Sequence, residues 1–320
     1  MNNQIDYSTE IEIVSSSSTF IEANTLEVSL QEIESTHIIP SYTKDYEPLI
    51  SVGDFINRTQ DVLHHFLEGE TILSPAIRVS HPIKGRIPEA RFKPTSELRD
   101  DEKTVYYERA MFLFEIPSIT STINGQPMCL IVGGVKAYNE DKINGKKGSL
   151  ENFKIFVGFQ VKVCSNLCIW TDGAVVHAKV RSIGELMDET MKMLNGFQPK
   201  NQIQELESLV NYSLSDRELA QILGRARLYN YLPLNERIRV PELLFTDTQL
   251  STVARDYYQD ESFHRGSNGE ITLWRFYNLL TGSNKSSYID QYIPRAVNAS
   301  QFVFQIKSAL DTGSTNWYLG

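Results

Sequence analysis

The spacing of hydrophobic and polar positions changes character twice along this chain of 320 residues. Over residues 1–50 the apolar positions (Ile11, Ile13, Val14, Phe20, Ile21, Leu26, Val28, Leu30, Ile33) form short, broken alternations. That predicts a largely disordered tail with one or two segments able to pair as edge strands. Ser51 and Asp54 have the spacing of a helix N-cap, and Phe55, Ile56, Val62, Leu63, Phe66 and Leu67 follow as an apolar helical face. Pro75, Pro82, Pro88 and Pro94 then break the pattern into edge-type segments. A period of two takes over at 104–116, where Ala110, Phe112, Phe114 and Ile116 alternate with their neighbours. Asn124-Gly125 predicts a tight hairpin turn into a strand over Met128–Tyr138. Within that strand Gly133-Gly134 predicts a bulge or a close backbone approach. The clearest strand is 153–164, with Phe153, Ile155, Val157, Phe159, Val161 and Val163 on one face and Lys154, Phe156, Gly158, Gln160 and Lys162 on the other. Asp172-Gly173 predicts a further turn into Val175–Val180. Residues 51–181 are therefore expected to hold a helix and an antiparallel meander.

From Ser182 the period is helical. Ile183, Leu186, Met187, Met191 and Leu194 mark one helix, and Ile203, Leu206, Leu209 and Val210 a second. Ser215 and Glu218 form a capping box, with Leu214 and Leu219 placed as a hydrophobic staple, for a helix running to about Tyr231 before Pro233. Further helices are expected near 247–258, 271–281 and 298–310, the last capped by Asn298. Residues 182–310 are thus expected to form a helical region packed on the sheet, and 311–320 a flexible C-terminus. Strands first and helices second define an α+β protein.

Charge alters this picture in one place. Residues 1–50 hold nine acids against one base, Lys44, a formal charge of −8. The remainder holds 30 bases and 31 acids, so the body is near neutral although the whole chain is −9. The global figure therefore says nothing against nucleic acid as a partner of the body. No apolar run reaches the roughly 20 residues that span a bilayer. Three sparse cysteines, Cys129, Cys164 and Cys168, suit free thiols in a reducing compartment, so a cytoplasmic location is expected.

Candidate chemistry is thin. Cys164 and Cys168 lack the second close pair of ligands that zinc needs. His64, His65 and Glu68 share a helix but lack the metalloprotease spacing. Gly145-Lys146-Lys147-Gly148 and the stretch Gly282–Ser286 fail the phosphate-loop pattern. Asp256, Asp260, Glu261 and His264 are the one cluster of hard ligands that a divalent ion would accept. No cofactor is expected. Cations interleaved with aromatic rings suit a single strand, because rings stack on bases and cations neutralise phosphates. Lys154, Lys162, Arg225, Arg227, Arg275, Lys285, Tyr288 and Arg295 are the candidates, near Tyr229, Tyr231 and Trp274.

Three stretches read together carry a family resemblance. They are Gly133–Asn139, then Phe156–Cys168 with Asp172-Gly173, and Asp256–His264 leading into Leu273–Tyr288. Over about residues 50–305 the chain resembles domain-of-unknown-function family number 3871, known from mobile elements and chromosomes of Bacteroides-type bacteria. More distantly it resembles the phage/plasmid-like protein family of unknown function. That family's Val-Cys-x-Asn segment is matched by Val163, Cys164 and Asn166, and its late Trp-x-x-x-Asn-x-x-Thr helix by Trp274, Asn278 and Thr281. The acidic residue that follows in the family is Gly282 here. The resemblance implies a context of mobile DNA.

Three functions are carried forward as expectations. The first is a non-enzymatic accessory protein that binds single-stranded DNA, in an annealing-like or DNA-processing role, with homo-oligomers compatible. The second is a protein-interaction or host-modulating factor whose acidic tail meets a basic partner. The third is a metal-dependent enzyme using the cluster at 256–264.

Overall fold

A computed structural model describes residues 19–40, 50–141, 149–169 and 174–320. The chain runs through β1 (Leu26–Glu27), α1 (Leu30–Thr36), β2 (Ile39–Pro40) and α2 (Val52–Phe66). The strands β3 (Ala76–Val79), β4 (Pro82–Arg86), β5 (Lys103–Tyr107), β6 (Arg109–Ile123), β7 (Gln126–Ala137), β8 (Glu151–Val161), β9 (Leu167–Ile169) and β10 (Val175–Val180) follow. The helical half comprises α3 (Ile183–Gly196), α4 (Pro199–Ser208), β11 (Ser213–Leu214), α5 (Asp216–Tyr229), α6 (Leu234–Arg237), α7 (Asp247–Gln259), β12 (Ile271–Thr272), α8 (Leu273–Asn284) and α9 (Ile289–Thr312). It is an α+β fold, with most strands early and the helices late.

The main sheet is antiparallel, ordered β1-β3-β6-β7-β8-β10, with β9 also on β8. β6 and β7 form its long hairpin. Asn124 and Gly125 close it with φ of 49° and 77°, the paired left-handed residues that a two-residue turn demands. Gly133 and Gly134 are places of close approach. A Cβ on Gly133 would lie 2.2 Å from the Phe112 carbonyl oxygen, and one on Gly134 2.3 Å from the Phe55 ring. The segment expected as one strand at 104–116 is split at Glu108. β5 pairs with β4 in a separate three-stranded sheet, and β6 joins the main one.

Both faces of the main sheet are covered. On one, Phe112, Phe114, Val132, Phe153, Ile155 and Val157 meet α2 and the helical half in a single continuous core that reaches Trp274 and Phe302. On the other, Met111, Leu113, Ile131, Phe156 and Ile169 meet Phe20, Ile21 and the first turns of α9. The caps lie where the spacing puts them. Ser51 Oγ accepts from Asp54 N (2.9 Å), and Ser215 and Glu218 make both capping-box bonds (3.3 and 2.8 Å).

Three expectations need correction. Within the acidic segment, residues 19–40 are built into the fold: β1 extends the main sheet, and Phe20, Ile21 and Ile33 are buried. Apolar residues that complete a sheet face outweigh the segment's charge. Residues 1–18 and 41–49 lie outside the described residues. The C-terminus is anchored too. Tyr318 is buried, its hydroxyl donates to the Pro241 carbonyl (2.8 Å), and its ring meets Phe302 edge-on. Finally, α9 starts at Ile289 rather than at Asn298, which is buried within the helix and donates to the Glu242 carbonyl. Pro294 falls inside α9 and supplies no N–H to the Asp290 carbonyl one turn earlier. That carbonyl accepts from Lys154 Nζ instead (3.1 Å).

Candidate functional site

The candidate residues fall into two groups with opposite fates. One group converges where the β8–β9 turn meets α8. Ser165 takes a left-handed φ of 55° in that turn. The next residue, Asn166, is buried and donates from Nδ2 to the Asn278 carbonyl of α8 (3.0 Å). Asn278 donates in turn to the Trp274 carbonyl (2.9 Å), and Thr281 Oγ1 donates to the Asn278 carbonyl (3.1 Å). Trp274 is fully buried beneath them. Lys285, at the end of α8, is buried, and its ammonium donates to the Cys164 carbonyl. Its own carbonyl accepts from Glu22 N (2.8 Å) and Ala23 N (3.2 Å). Burial holds the Lys285 ammonium below its ordinary pKa and pushes the Cys164 thiol up to about 11. The motif residues Asn166, Trp274, Asn278 and Thr281, far apart in sequence, therefore form one buried joint between sheet and helices, to which Lys285 ties the half-buried Cys164. Asp172 and Gly173 lie outside the described residues.

A polar network continues from this joint. Asn284 Nδ2 donates to the Tyr292 carbonyl (3.0 Å), Ser287 Oγ to Asn284 Oδ1 (2.6 Å), and Arg295 to both Ser287 Oγ (2.8 Å) and the Leu244 carbonyl (2.9 Å). Arg295 is thus spent inside the fold, and burial lowers its pKa.

The expected basic face of β8 is closed as well. Lys154 is buried beneath α9, held by Glu140 and the Asp290 carbonyl. Lys162 is half-exposed and paired with Glu115. It lines a cleft of about 250 Å³ with Phe20, Arg78, Leu113, Glu115 and Gln160. Arg78 is itself bonded to Thr25 (2.9 Å) and faces Glu27 (3.6 Å), so the cations of this cleft are neutralised by their neighbours. Arg275 donates to the His264 carbonyl (2.9 Å), and Arg225 to the Trp317 carbonyl while stacking over the Trp317 ring.

The cluster at 256–264 is occupied with its own turn. Asp260 Oδ1 accepts from Ser262 N (2.8 Å) and Phe263 N (2.7 Å), and the Asp260 carbonyl meets His264 Nδ1 (2.7 Å). Asp256 pairs with Arg255 (2.6 Å). Among the described residues no three His, Cys, Asp or Glu side chains come together as metal ligands.

Only two of the eight candidate nucleic-acid residues, Arg227 and Tyr288, are largely exposed. Arg227 stands beside a feature that period and charge alone did not reveal. Leu228, Tyr231, Leu234 and Ile238 are 60%, 76%, 77% and 74% exposed. They fall within eleven consecutive residues, at the end of α5, in the turn that follows it and on either end of α6. Arg227 pairs loosely with Asp247 (3.6 Å), Arg237 lies over the buried Tyr229 ring (4.5 Å), and Glu236 and Arg239 are exposed. No period marks the four in the sequence, because the helix breaks between Tyr229 and Leu234.

The fold and this joint define an α+β domain in which one buried hydrogen-bonded joint locks sheet to helices. The chain belongs to the family described as "Domain of unknown function, B. Theta Gene description (DUF3871)", whose model matches residues 4–319 and so includes the N-terminal segment built onto the sheet. No curated protein and no solved structure gives a significant match. No helix among the described residues is long and apolar enough to cross a membrane.

Proposed function

We propose that this chain is a non-catalytic recognition protein that binds another protein through the α5–α6 face. The observation that carries the reading is the exposure of Leu228, Tyr231, Leu234 and Ile238, each at least 60% open within eleven residues. Single exposed apolar side chains are ordinary, but four in so short a segment, interspersed with arginines, have the composition of an interface centre. Aliphatic side chains offer nothing to a base or a phosphate, so the segment favours protein over single-stranded DNA. The cations that a strand would use are mostly spent on internal partners, among them Lys154, Arg225, Lys285 and Arg295.

A photo-crosslinking residue at position 231, in the cell that encodes the chain, tests this. The expected result is an adduct of discrete mass that is lost in Leu234→Asp and absent when the crosslinker replaces Tyr288 instead. No discrete adduct overturns the reading. So does tight binding of a labelled single-stranded oligonucleotide, measured by anisotropy at low salt, that Arg227→Ala and Arg239→Ala abolish. That outcome makes the face a nucleic-acid surface.

A further inference from the structure

We infer that the cleft beside Phe20 on the main sheet is a binding site for an uncharged nitrogen heterocycle of nucleobase size, read by the carboxamide of Gln160. The site lies apart from the α5–α6 face and does not rest on the reading given to that face. Gln160 is paired through its backbone with Cys129 of β7 on one side and Leu167 of β9 on the other. Its side chain is therefore the part that lines the cleft. The residue is only 8% exposed, yet its carboxamide makes no hydrogen bond to any described residue. A buried amide without a partner costs free energy, and folded chains mostly avoid it. The buried amides of Asn166, Gln249, Asn278, Asn284 and Asn298 are all bonded. Gln202 also lacks partners, but its amide is sealed off, whereas that of Gln160 opens onto the cleft.

The rest of the lining selects what the amide meets. Among the described residues, the charged side chains of the cleft are Glu27, Arg78, Glu115 and Lys162. Arg78 is bonded to Thr25 (2.9 Å) and faces Glu27 (3.6 Å), and Lys162 is paired with Glu115. A charged ligand would have to displace one member of a formed pair, so the lining favours an uncharged one. Phe20 contributes an aromatic side chain to the wall, a partner for a flat ring. The cleft holds about 250 Å³. A cavity of about 150 Å³ takes benzene, so this one has room for a two-ring heterocycle. A carboxamide presents a donor beside an acceptor. The complementary ring edge carries an acceptor beside a donor, as adenine does with its ring nitrogen and exocyclic amine.

Ligand-observed NMR titrations of the full chain with adenosine and purine riboside test the inference. Both probes are uncharged, and they differ only in the exocyclic amine, the donor that Gln160 would read. Adenosine is expected to bind at one site, at least about tenfold more tightly than purine riboside. Gln160→Leu keeps the bulk and removes the amide. It should weaken adenosine at least about tenfold and abolish the preference between the probes. Its urea midpoint should not fall, because the amide it removes has no partner in the free chain. Ala76→Phe, at an exposed position of β3 that lines the cleft, fills the space and should also block binding. No saturable binding of adenosine overturns the inference, as do equal affinities for the two probes. A preference that survives Gln160→Leu overturns it too, and so does binding that Ala76→Phe leaves unchanged. A lower urea midpoint in Gln160→Leu would show that the amide is bonded within the fold, which likewise overturns it.

Discussion

The joint at α8 and the face at α5–α6 belong to the same helical half, yet they invert the usual distribution of residues. At the joint, Asn166, Asn278, Thr281 and Lys285 are polar and buried, each donating to a backbone carbonyl. At the face, Leu228, Tyr231, Leu234 and Ile238 are apolar and open. Burial of a polar group costs free energy unless it is hydrogen-bonded. Here the Asn166 and Lys285 bonds run between the β8–β9 turn and α8, while those of Asn278 and Thr281 stay within α8. The first two therefore fix the placement of one element on the other. Exposed apolar groups contribute little within the monomer. The joint organises the molecule, and the face does not. Breaking each should therefore affect different measurements.

The largest expected effect is at the joint. Trp274 is fully buried, and Trp274→Ala should lower unfolding stability by about 3–5 kcal/mol. Urea unfolding followed by circular dichroism reads this directly. A loss under about 1 kcal/mol would mean that α8 is not packed as described.

The next effect comes from the N-terminal segment. His37 is buried among the rings of Tyr106, Tyr107 and Tyr138. Burial pushes its pKa down from 6.5 to about 3, against a smaller opposing effect of a backbone contact at Tyr107. A depressed imidazole pKa means that the unfolded chain takes up the proton first. This contribution to stability is full above pH 6.5 and is lost as pH falls through 6.5 toward 3. Between pH 7 and pH 5 it amounts to about 2 kcal/mol. The difference between wild type and His37→Phe in urea midpoints at the two pH values isolates it. An equal pH dependence in both proteins would show that His37 is protonated or exposed in the folded state.

His37 also shows why some of the structure was legible in the sequence and some was not. Features set by a few adjacent residues could be read directly: the caps at Ser51 and Ser215, the Asn124-Gly125 turn, and the alternation along β8. Features set by distant partners could not. Lys154 looked like part of a basic face because its partner, the Asp290 carbonyl, is 136 residues away and is left open by Pro294 within α9. The same proline hid the start of that helix. The N-terminal segment reads as largely disordered with one or two edge-strand segments; β1 is such an edge strand, but Phe20, Ile21 and Ile33 find their buried places only when the sheet exists. Of the candidate site, the resemblance linked Cys164 and Asn166 to Trp274, Asn278 and Thr281, but not that they are buried together. The exposed apolar residues of α5–α6 had no period to read, because the helix breaks between them.

Two smaller effects test how the joint is made. Asn166→Ala and Asn278→Ala should each cost about 1–3 kcal/mol by removing a buried hydrogen bond. Asn166 donates to the backbone carbonyl of Asn278, which Asn278→Ala retains, so the double variant should cost close to the sum. A departure from additivity of about 1 kcal/mol or more would mean that the Asn278 side chain also positions Asn166. Lys154→Met should cost a similar 1–3 kcal/mol, because the Asp290 carbonyl loses its donor. It should leave any oligonucleotide binding unchanged, since the ammonium is buried. A variant that keeps stability but loses oligonucleotide binding would return Lys154 to the surface and reopen the basic-face reading.

The smallest expected effect on stability is at the face, where it is most informative. Leu234→Ser and Tyr231→Ala alter side chains that are 77% and 76% exposed, so each should change unfolding stability by no more than about 0.5 kcal/mol at concentrations where the chain is monomeric. Urea unfolding of the dilute chain reads this. If Leu234→Ser lowers stability by about 2 kcal/mol or more even in the dilute limit, the segment packs within the monomer, and the contrast between a closed joint and an open face no longer holds.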